Sequence, residues 1–403
     1  MATGRLSAVH SHLTAMPAAA APMIFDAGNM ALLVEPPAAV GDAESDIDTP
    51  ALIVDLPTLE DNLLGMQAIA STHGVALRPH FKMHKCPAIA LRQVELGAVG
   101  LCCQKVGEAE VMAAAGVKNI LVSNEVVAPS KLNRLAALVP KLEWLGVCAD
   151  HPEAVDKIEA ACAKAGVSMD VLVELDFLPP PHIPEIDEDG IPFGTGYQRC
   201  GVEQGAPLVA LAQQIESSSH LHFGGLQAYY GKAQHIRDFD ERTAAFKAAH
   251  DQVKRCVSDL AAVGLSCDKI SGAGTGTAAM EASTGLWNEL QAGSYAFMDL
   301  DYNAILMANG AQIGAAAEVA AAAVAGGGDE PAEAAPEELA PEGAGFKSSL
   351  YVLTEIMSLP GPGRAVCDAG LKASSVDSGL PVVDPESHAS EGWSYLSASD
   401  VRF

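Results

Sequence analysis

The ten residues RPHFKMHKCP hold Arg78, His80, Lys82, His84 and Lys85 directly after the short apolar run VAL. Three chemistries suit such a stretch. His80 and His84, four apart, could ligate a metal, but that spacing needs a helix, and Pro79 after a strand-like run disfavours one. The stretch could be a solvated basic loop. Alternatively, one lysine is activated: like charges and loss of water both disfavour the ammonium, which makes its amine a better nucleophile. Nothing in the stretch suits a buried core, so all five side chains are expected at a surface or a site.

A second cluster bears on the choice. Gly272, Gly274, Thr275 and Gly276 form a glycine-rich turn, and Gly293, Ser294 and Tyr295 form another shortly after it. Backbone N–H groups in such turns, helped by a threonine hydroxyl, can hold a phosphate; as plain tight turns they would do no chemistry. A lysine nucleophile facing a phosphate cup is what an aldehyde cofactor with a phosphate handle requires, and pyridoxal 5'-phosphate is that cofactor.

The elements around these clusters must bring them together. Short β-branched or apolar runs at 75–79, 99–103, 119–123, 144–148, 169–175, 222–228, 267–271 and 287–292 alternate with amphipathic helical stretches such as HPEAVDKIEAACAKAGV. Eight such alternations predict parallel pairing closed into a (β/α)8 barrel over residues 59–296, with a doubly wound open sheet as the rival fold. No G-x-G-x-x-G follows the first strand, which counts against a dinucleotide-binding version. The unusual polar residues recur just after successive strands: HFKMHK, CQK, SNE, RCG, QAYYGKAQH, GAGTG and AGSY. In a barrel these positions share one mouth, where active sites are built.

Two stretches break the rhythm. Residues 177–198 read as a long Pro- and acid-rich loop, and 309–345 as an acidic low-complexity insertion. Residues 46–58 and 297–403 are expected to form a second, β-rich domain, and 1–45 a flexible leader or an organelle-targeting segment. The formal charge of −27 argues against nucleic acid and anionic membranes as partners. Nine cysteines without a C-x-x-C pair suit reduced thiols in a soluble intracellular protein, and no membrane-spanning run is evident.

The motifs RPHFKMHK, LCCQKVGEAE, ILVSNEVV, RCGV, GLQAYYGKAQH, GAGTG, ELQAGSYAFMDLDY and VCDAGLKASS, in this order over about residues 47–400, resemble those of the D-threonine aldolases. These group with D-serine dehydratases among the fold-type III, alanine-racemase-like pyridoxal phosphate enzymes. The resemblance implies retro-aldol cleavage of a D-3-hydroxy amino acid, D-threonine giving glycine and acetaldehyde, by a homodimer. It implies Lys82 as the Schiff-base lysine, Arg199 at the cofactor's phenolic oxygen and Tyr229 near its pyridine nitrogen. Gly274, Thr275, Ser294 and Tyr295 fall at phosphate-cup positions, and His235 beside the substrate hydroxyl. The rivals are D-serine dehydratase-type elimination and a non-catalytic pyridoxal phosphate carrier.

Two departures from the family pattern stand out. Tyr230 replaces a frequent histidine. A divalent metal such as Mn²⁺ is expected in the family, held by a His-x-Asp or His-x-Cys pair in a C-terminal β segment. The sequence, ending SASDVRF, has no such pair near its end, and His388 is not in that context. The expectation is therefore a chain truncated relative to the family, one that binds the cofactor but cleaves poorly.

Overall fold

The structure is a computed structural model that describes residues 38–177, 199–307, 345–375 and 381–383. Apart from a few end residues, the 177–198 loop, the 309–345 insertion and most of the leader lie outside these residues, as does His388.

Strand β1 (Ala51–Val54) leads into helix α1 (Leu56–Thr72). Eight strands then follow: β2 (Ala76–Leu77), β3 (Leu101–Cys103), β4 (Asn119–Glu125), β5 (Trp144–Ala149), β6 (Met169–Glu174), β7 (Leu221–Ala228), β8 (Lys269–Gly272) and β9 (Glu289–Leu290). Between them run helices α2 (Pro87–Glu95), α3 (Val106–Ala115), α4 (Pro129–Ala136), α5 (Pro152–Ala165), α6 (Ala206–Ser217), α7 (Phe239–Ala262) and α8 (Ala278–Ser283), with α9 (Leu300–Asn303) after the last strand. The strands pair in parallel in the order β2-β9-β8-β7-β6-β5-β4-β3. A parallel bridge from His80 to Cys102, with Cys102 N–H donating to the Pro79 carbonyl at 2.9 Å, joins the two ends. The barrel expected over 59–296 is therefore present, and each of the eight strands coincides with a run read from the sequence.

Strand alternation sorts the side chains. Cys103, Val122, Val147 and Val171 belong to the large outer core shared with the helices. Cys102, Leu121, Cys148 and Leu172, one from each of β3 to β6, form a small separate cluster with Trp144 against it. A second fully buried set on the strands is polar. Arg78, just past β2 and 1% exposed, forms an ion pair with Glu289, Nε to Oε1 at 2.8 Å, and donates from Nη1 to Asn119 at 2.6 Å. Glu289 also accepts from Ser271 Oγ at 2.6 Å, Ser271 accepts from Gln291, and Gln291 pairs with Gln227. The Arg78 guanidinium lies 4.7 Å from the centre of the Trp144 ring.

This overturns the expectation that nothing in RPHFKMHKCP is buried. A guanidinium has no neutral form to retreat to, so Arg78 is tolerable inside only because a carboxylate and an amide meet its donors there.

The described residues divide into two compact units, at Ala51/Leu52 and at Tyr351/Val352. In the barrel unit, Asn62 of α1 bonds the backbone of Lys347 in both directions, at 2.8 and 3.0 Å, which ties the returning chain to the barrel before β10 (Leu350–Leu353). The other unit is β-rich. Strands β11 (Ile356–Gly361) and β12 (Arg364–Cys367) form an antiparallel hairpin, and Asp368 accepts from the hydroxyls of Thr49 at 2.5 Å and Thr354 at 2.7 Å. No helix among the described residues is long and apolar enough to cross a membrane.

Replacing Arg78 by Met leaves the Glu289 carboxylate buried without its cation. Urea unfolding of Arg78→Met should show a loss of about 3–5 kcal/mol, and Arg78→Met with Glu289→Gln should recover part of that loss.

Candidate active site

Residues following β2, β7, β8 and β9, together with the ends of β4 and β6, meet at the C-terminal mouth of the barrel. After β2 the chain turns through a short 3-10 helix (Phe81–Met83) whose first N–H groups are met by His80, its Nδ1 accepting from Lys82 N at 3.4 Å. Lys82 is exposed at the mouth, with Nζ 6.0 Å from the centre of the Tyr229 ring. The surrounding walls still strip water from the amine, and the Arg199 guanidinium adds repulsion; both hold the Lys82 pKa below the ordinary lysine value.

Loss of water lowers the lysine value as expected, but the repulsion comes from Arg199 and not from the basic neighbours in RPHFKMHK. The histidines that flank Lys82 are held neutral by burial, His84 down to about 4 and His80 well below its usual value. Lys85 is ion-paired to Glu108, and Arg78 is spent on Glu289. The two histidines also face different partners. His80 Nε2 lies 3.2 Å from Ser123 Oγ, and His84 Nε2 lies 3.3 Å from Gln93 Oε1. A His80–His84 metal pair is therefore not formed.

The glycine-rich turn after β8 and the turn after β9 lie side by side, Thr275 Oγ1 accepting from Tyr295 N at 2.9 Å. A Cβ on Gly274 would sit 2.3 Å from the Gln234 side chain, so only glycine fits there. Ala273, which opens this turn, has φ 72, and Lys85 and Met298 have φ 50 and 52. Among the described residues, these three non-glycine positions with positive φ all lie in loops of this mouth, where backbone strain commonly accompanies function. The Tyr295 phenol accepts from Gln93 Nε2 at 2.9 Å and is fully buried, which leaves the Tyr295 backbone as the part that faces the Thr275 turn. Ser294 opens the short 3-10 helix that carries Tyr295. The turns set the Thr275 and Ser294 hydroxyls on neighbouring loops, which suits a phosphate group, while the Gly276 and Tyr295 N–H groups are given to Gln234 and Thr275.

Tyr229 and Tyr230 follow β7 and lead into a 3-10 turn (Gly231–His235). Tyr230, 3% exposed, packs its ring 5.2 Å from Phe177 as part of the wall. His235 is exposed, its Nδ1 2.6 Å from Asp301 Oδ2 and its ring 5.4 Å from that of Tyr302. Arg237 also reaches Asp301, at 3.4 Å. The structure therefore brings Lys82, Tyr229 and Arg199 to one mouth, with the two turns and His235 on loops of the same end.

Sequence reasoning passed over an acidic cluster beside Arg199. Glu174, which ends β6, lies with Glu125 and Cys200 so that one ligand-type atom from each falls within 4.8 Å of the others. Cys200 Sγ donates to Glu174 Oε1 at 3.0 Å, and Arg199 Nη2 is 3.9 Å from the same oxygen. Burial first, and then repulsion from Glu125, push the Glu174 carboxyl up to about 8, so it is largely protonated at neutral pH. Burial pushes the Cys200 thiol up to about 12. A protonated acid and a protonated thiol make a hydrogen-bonded cluster and poor metal ligands. SNE and VELD were visible as strand ends, yet nothing local showed that their acids meet.

A lysine at a barrel mouth that also carries the Thr275 and Ser294 turns suits a barrel that binds a phosphate-bearing aldehyde. In agreement, the profile of the alanine racemase N-terminal domain matches residues 54–178 and 191–301, and that of a putative serine dehydratase domain matches 349–401. The chain belongs to this alanine-racemase-like family of fold-type III pyridoxal phosphate enzymes. Within it, the chain is 39% identical to a D-threonine aldolase of Arthrobacter sp., over 92% of this chain and 83% of that one. It is 38% identical to a 3-hydroxy-D-aspartate aldolase of Paracoccus denitrificans (strain Pd 1222), over 90% and 81%. The crystal structure of D-threonine aldolase from Filomicrobium marinum superposes with a TM-score of 0.70 at 42% identity, covering 86% of this chain and 80% of that one.

The Glu174 proton has a measurable consequence. Between the ordinary carboxyl value of 4.5 and about 8, the folded protein holds a proton that the unfolded chain has released. Rising pH across that window therefore lowers stability. Glu174→Gln, neutral throughout, should lose less stability than wild type between about pH 5 and about pH 9. Thermal unfolding at the two ends of the window measures the difference, and equal losses in both proteins would exclude it.

Proposed function

We propose that this protein cleaves D-3-hydroxy amino acids by a retro-aldol reaction, D-threonine giving glycine and acetaldehyde. The observation that carries the reading is Lys82, its pKa depressed, at the mouth that also carries the adjacent Thr275 and Tyr295 turns. The aldolase relatives supply the reaction class. Pyridoxal 5'-phosphate, when bound, supplies an electron sink for the pair released when the Cα–Cβ bond breaks.

The chain's own residues do the rest. Lys82 would offer its amine to the aldehyde carbon, and loss of water at the mouth and Arg199 both disfavour the competing ammonium. Gly274, Thr275, Ser294 and the Tyr295 backbone would hold the phosphate. Arg199 would face the phenolic oxygen, with Glu174 as its neighbour, and Tyr229 would pack beside the ring. His235 would take the β-hydroxyl proton at Nε2, since Nδ1 is turned to Asp301, a carboxylate held below its usual range by His235 and Arg237 despite partial burial. Among the described residues of 345–383 there is no histidine, so the metal pair expected of the family finds no counterpart there, and no step is assigned to a metal. A homodimer belongs to the same proposal.

The match of 349–401 to a putative serine dehydratase domain favours elimination as the second reading. One assay separates the two: acetaldehyde and glycine from D-threonine support cleavage, and an α-keto acid with ammonia supports elimination. L-threonine should react roughly 10²-fold more slowly or not at all. Comparable turnover of both enantiomers would overturn the reading. Lys82→Ala should abolish the borohydride-trapped pyridoxal adduct, while Lys85→Ala, which removes only the partner of Glu108, should retain it; peptide mapping of the adduct decides.

A further inference from the structure

Gln234, in the turn that carries His235, is completely buried and bonded on every side. Its Oε1 accepts from Gly276 N at 2.9 Å. Its Nε2 donates to Thr277 Oγ1 at 2.6 Å and to the Tyr230 carbonyl at 3.3 Å. Thr277, 1% exposed, is in turn hydrogen-bonded to the Glu281 carboxyl, which is also 1% exposed. The chain Tyr230–Gln234–Thr277–Glu281 thus runs beneath the glycine-rich turn and fastens it to the turn after β7. Gly274 and Gly276 are the positions where the fit is tightest: a Cβ on either would come within 3.0 Å of Gln234 atoms.

Few side chains could take this place. Gly276 N–H needs an acceptor, and Thr277 Oγ1 and the Tyr230 carbonyl need donors, which a primary amide supplies from one planar group. Burial pushes Glu281 up to about 8, so the far end of the chain is neutral and adds little repulsion toward an anion above it. A carboxylate at 234 would keep one acceptor, lose both donors and bring a negative charge under the turn.

We propose that Gln234 is a positioning residue that locks the phosphate cup to the turn bearing His235, so that a phosphate held in the cup also fixes the imidazole that faces the substrate. The inference rests on the proposed cofactor site, and it adds a coupling between two loops from different strands. Filling the cup orders Gly274–Thr277, Gln234 transmits that order through its amide, and His235, the next residue, inherits it.

The test uses the full chain, wild type, Gln234→Glu and the volume-matched Gln234→Met. The probes are pyridoxal 5'-phosphate, pyridoxal without its phosphate, and inorganic phosphate. Wild type should bind pyridoxal 5'-phosphate far more tightly than pyridoxal, by absorbance titration. In both variants that preference should fall by about tenfold or more, the size of a lost or repelled charged hydrogen bond. Affinity for pyridoxal itself should change little. In the unloaded protein, inorganic phosphate should move the His235 ring resonances of wild type, assigned by their loss in His235→Gln, and leave them unmoved in the variants.

A wild type that does not distinguish the two aldehydes would defeat the cofactor-site reading itself. A wild type that distinguishes them, with variants that keep the full preference, would overturn the role of Gln234. A His235 signal indifferent to phosphate in wild type would overturn the coupling, and that arm holds even if a variant fails to fold.

Discussion

The buried pair of Arg78 and Glu289 is the constraint around which the barrel is organised. Arg78 follows the first barrel strand and Glu289 opens the last, so their contact joins the start and the end of the barrel's chain where β2 pairs with β9. Asn119 on β4, Ser271 on β8, Gln291 beyond β9 and Gln227 on β7 complete the set. A charged pair in such a place is a poor source of net stability, because desolvation offsets most of the attraction. What it does supply is register. A one-residue slip of β2 or β9 would put an ionised group against Cys102, Leu121, Cys148 and Leu172 with no partner. Lys82 stands four residues beyond Arg78, so the position of the nucleophilic amine follows from the position of the guanidinium.

The mouth uses electrostatics of the opposite kind. There the formal charges are numerous, but most are cancelled or silenced. Lys85 is held by Glu108, His80 and His84 are kept neutral, and Glu174 keeps its proton. Arg199, largely exposed, acts on Lys82 from across the mouth. Of the basic residues in RPHFKMHK, the Lys82 amine is thus left to face the Arg199 guanidinium, an arrangement suited to an anionic, electron-poor ring placed between them.

Much of this was legible in the sequence, for identifiable reasons. The eight strands were readable because each is a short apolar run bounded by helices of clear period. The mouth was readable because polar residues recur after those runs. The burial of Arg78 was not, since β2 is two residues long and its partner lies more than two hundred residues away. Glu174 and Glu125 were visible only as strand ends, because their proximity arises from the sheet order. His235 drew attention as a histidine in KAQH, whereas Gln234 beside it carries no titratable group and becomes informative only once Gly276 is seen to lie against it.

The close approach of Gln234 to Gly274 bears on how relatives of this barrel can diverge. With the amide in place, position 274 admits no side chain at all, and position 276 is nearly as restricted. The three positions should therefore drift together. A lineage that shortens residue 234 opens room beneath the turn and frees 274 to accept alanine or serine, whereas a lineage that keeps glutamine keeps both glycines. A substitution at 274 that is lethal in one descendant would then be silent in another, and the order in which the two changes arise would decide which histories are open.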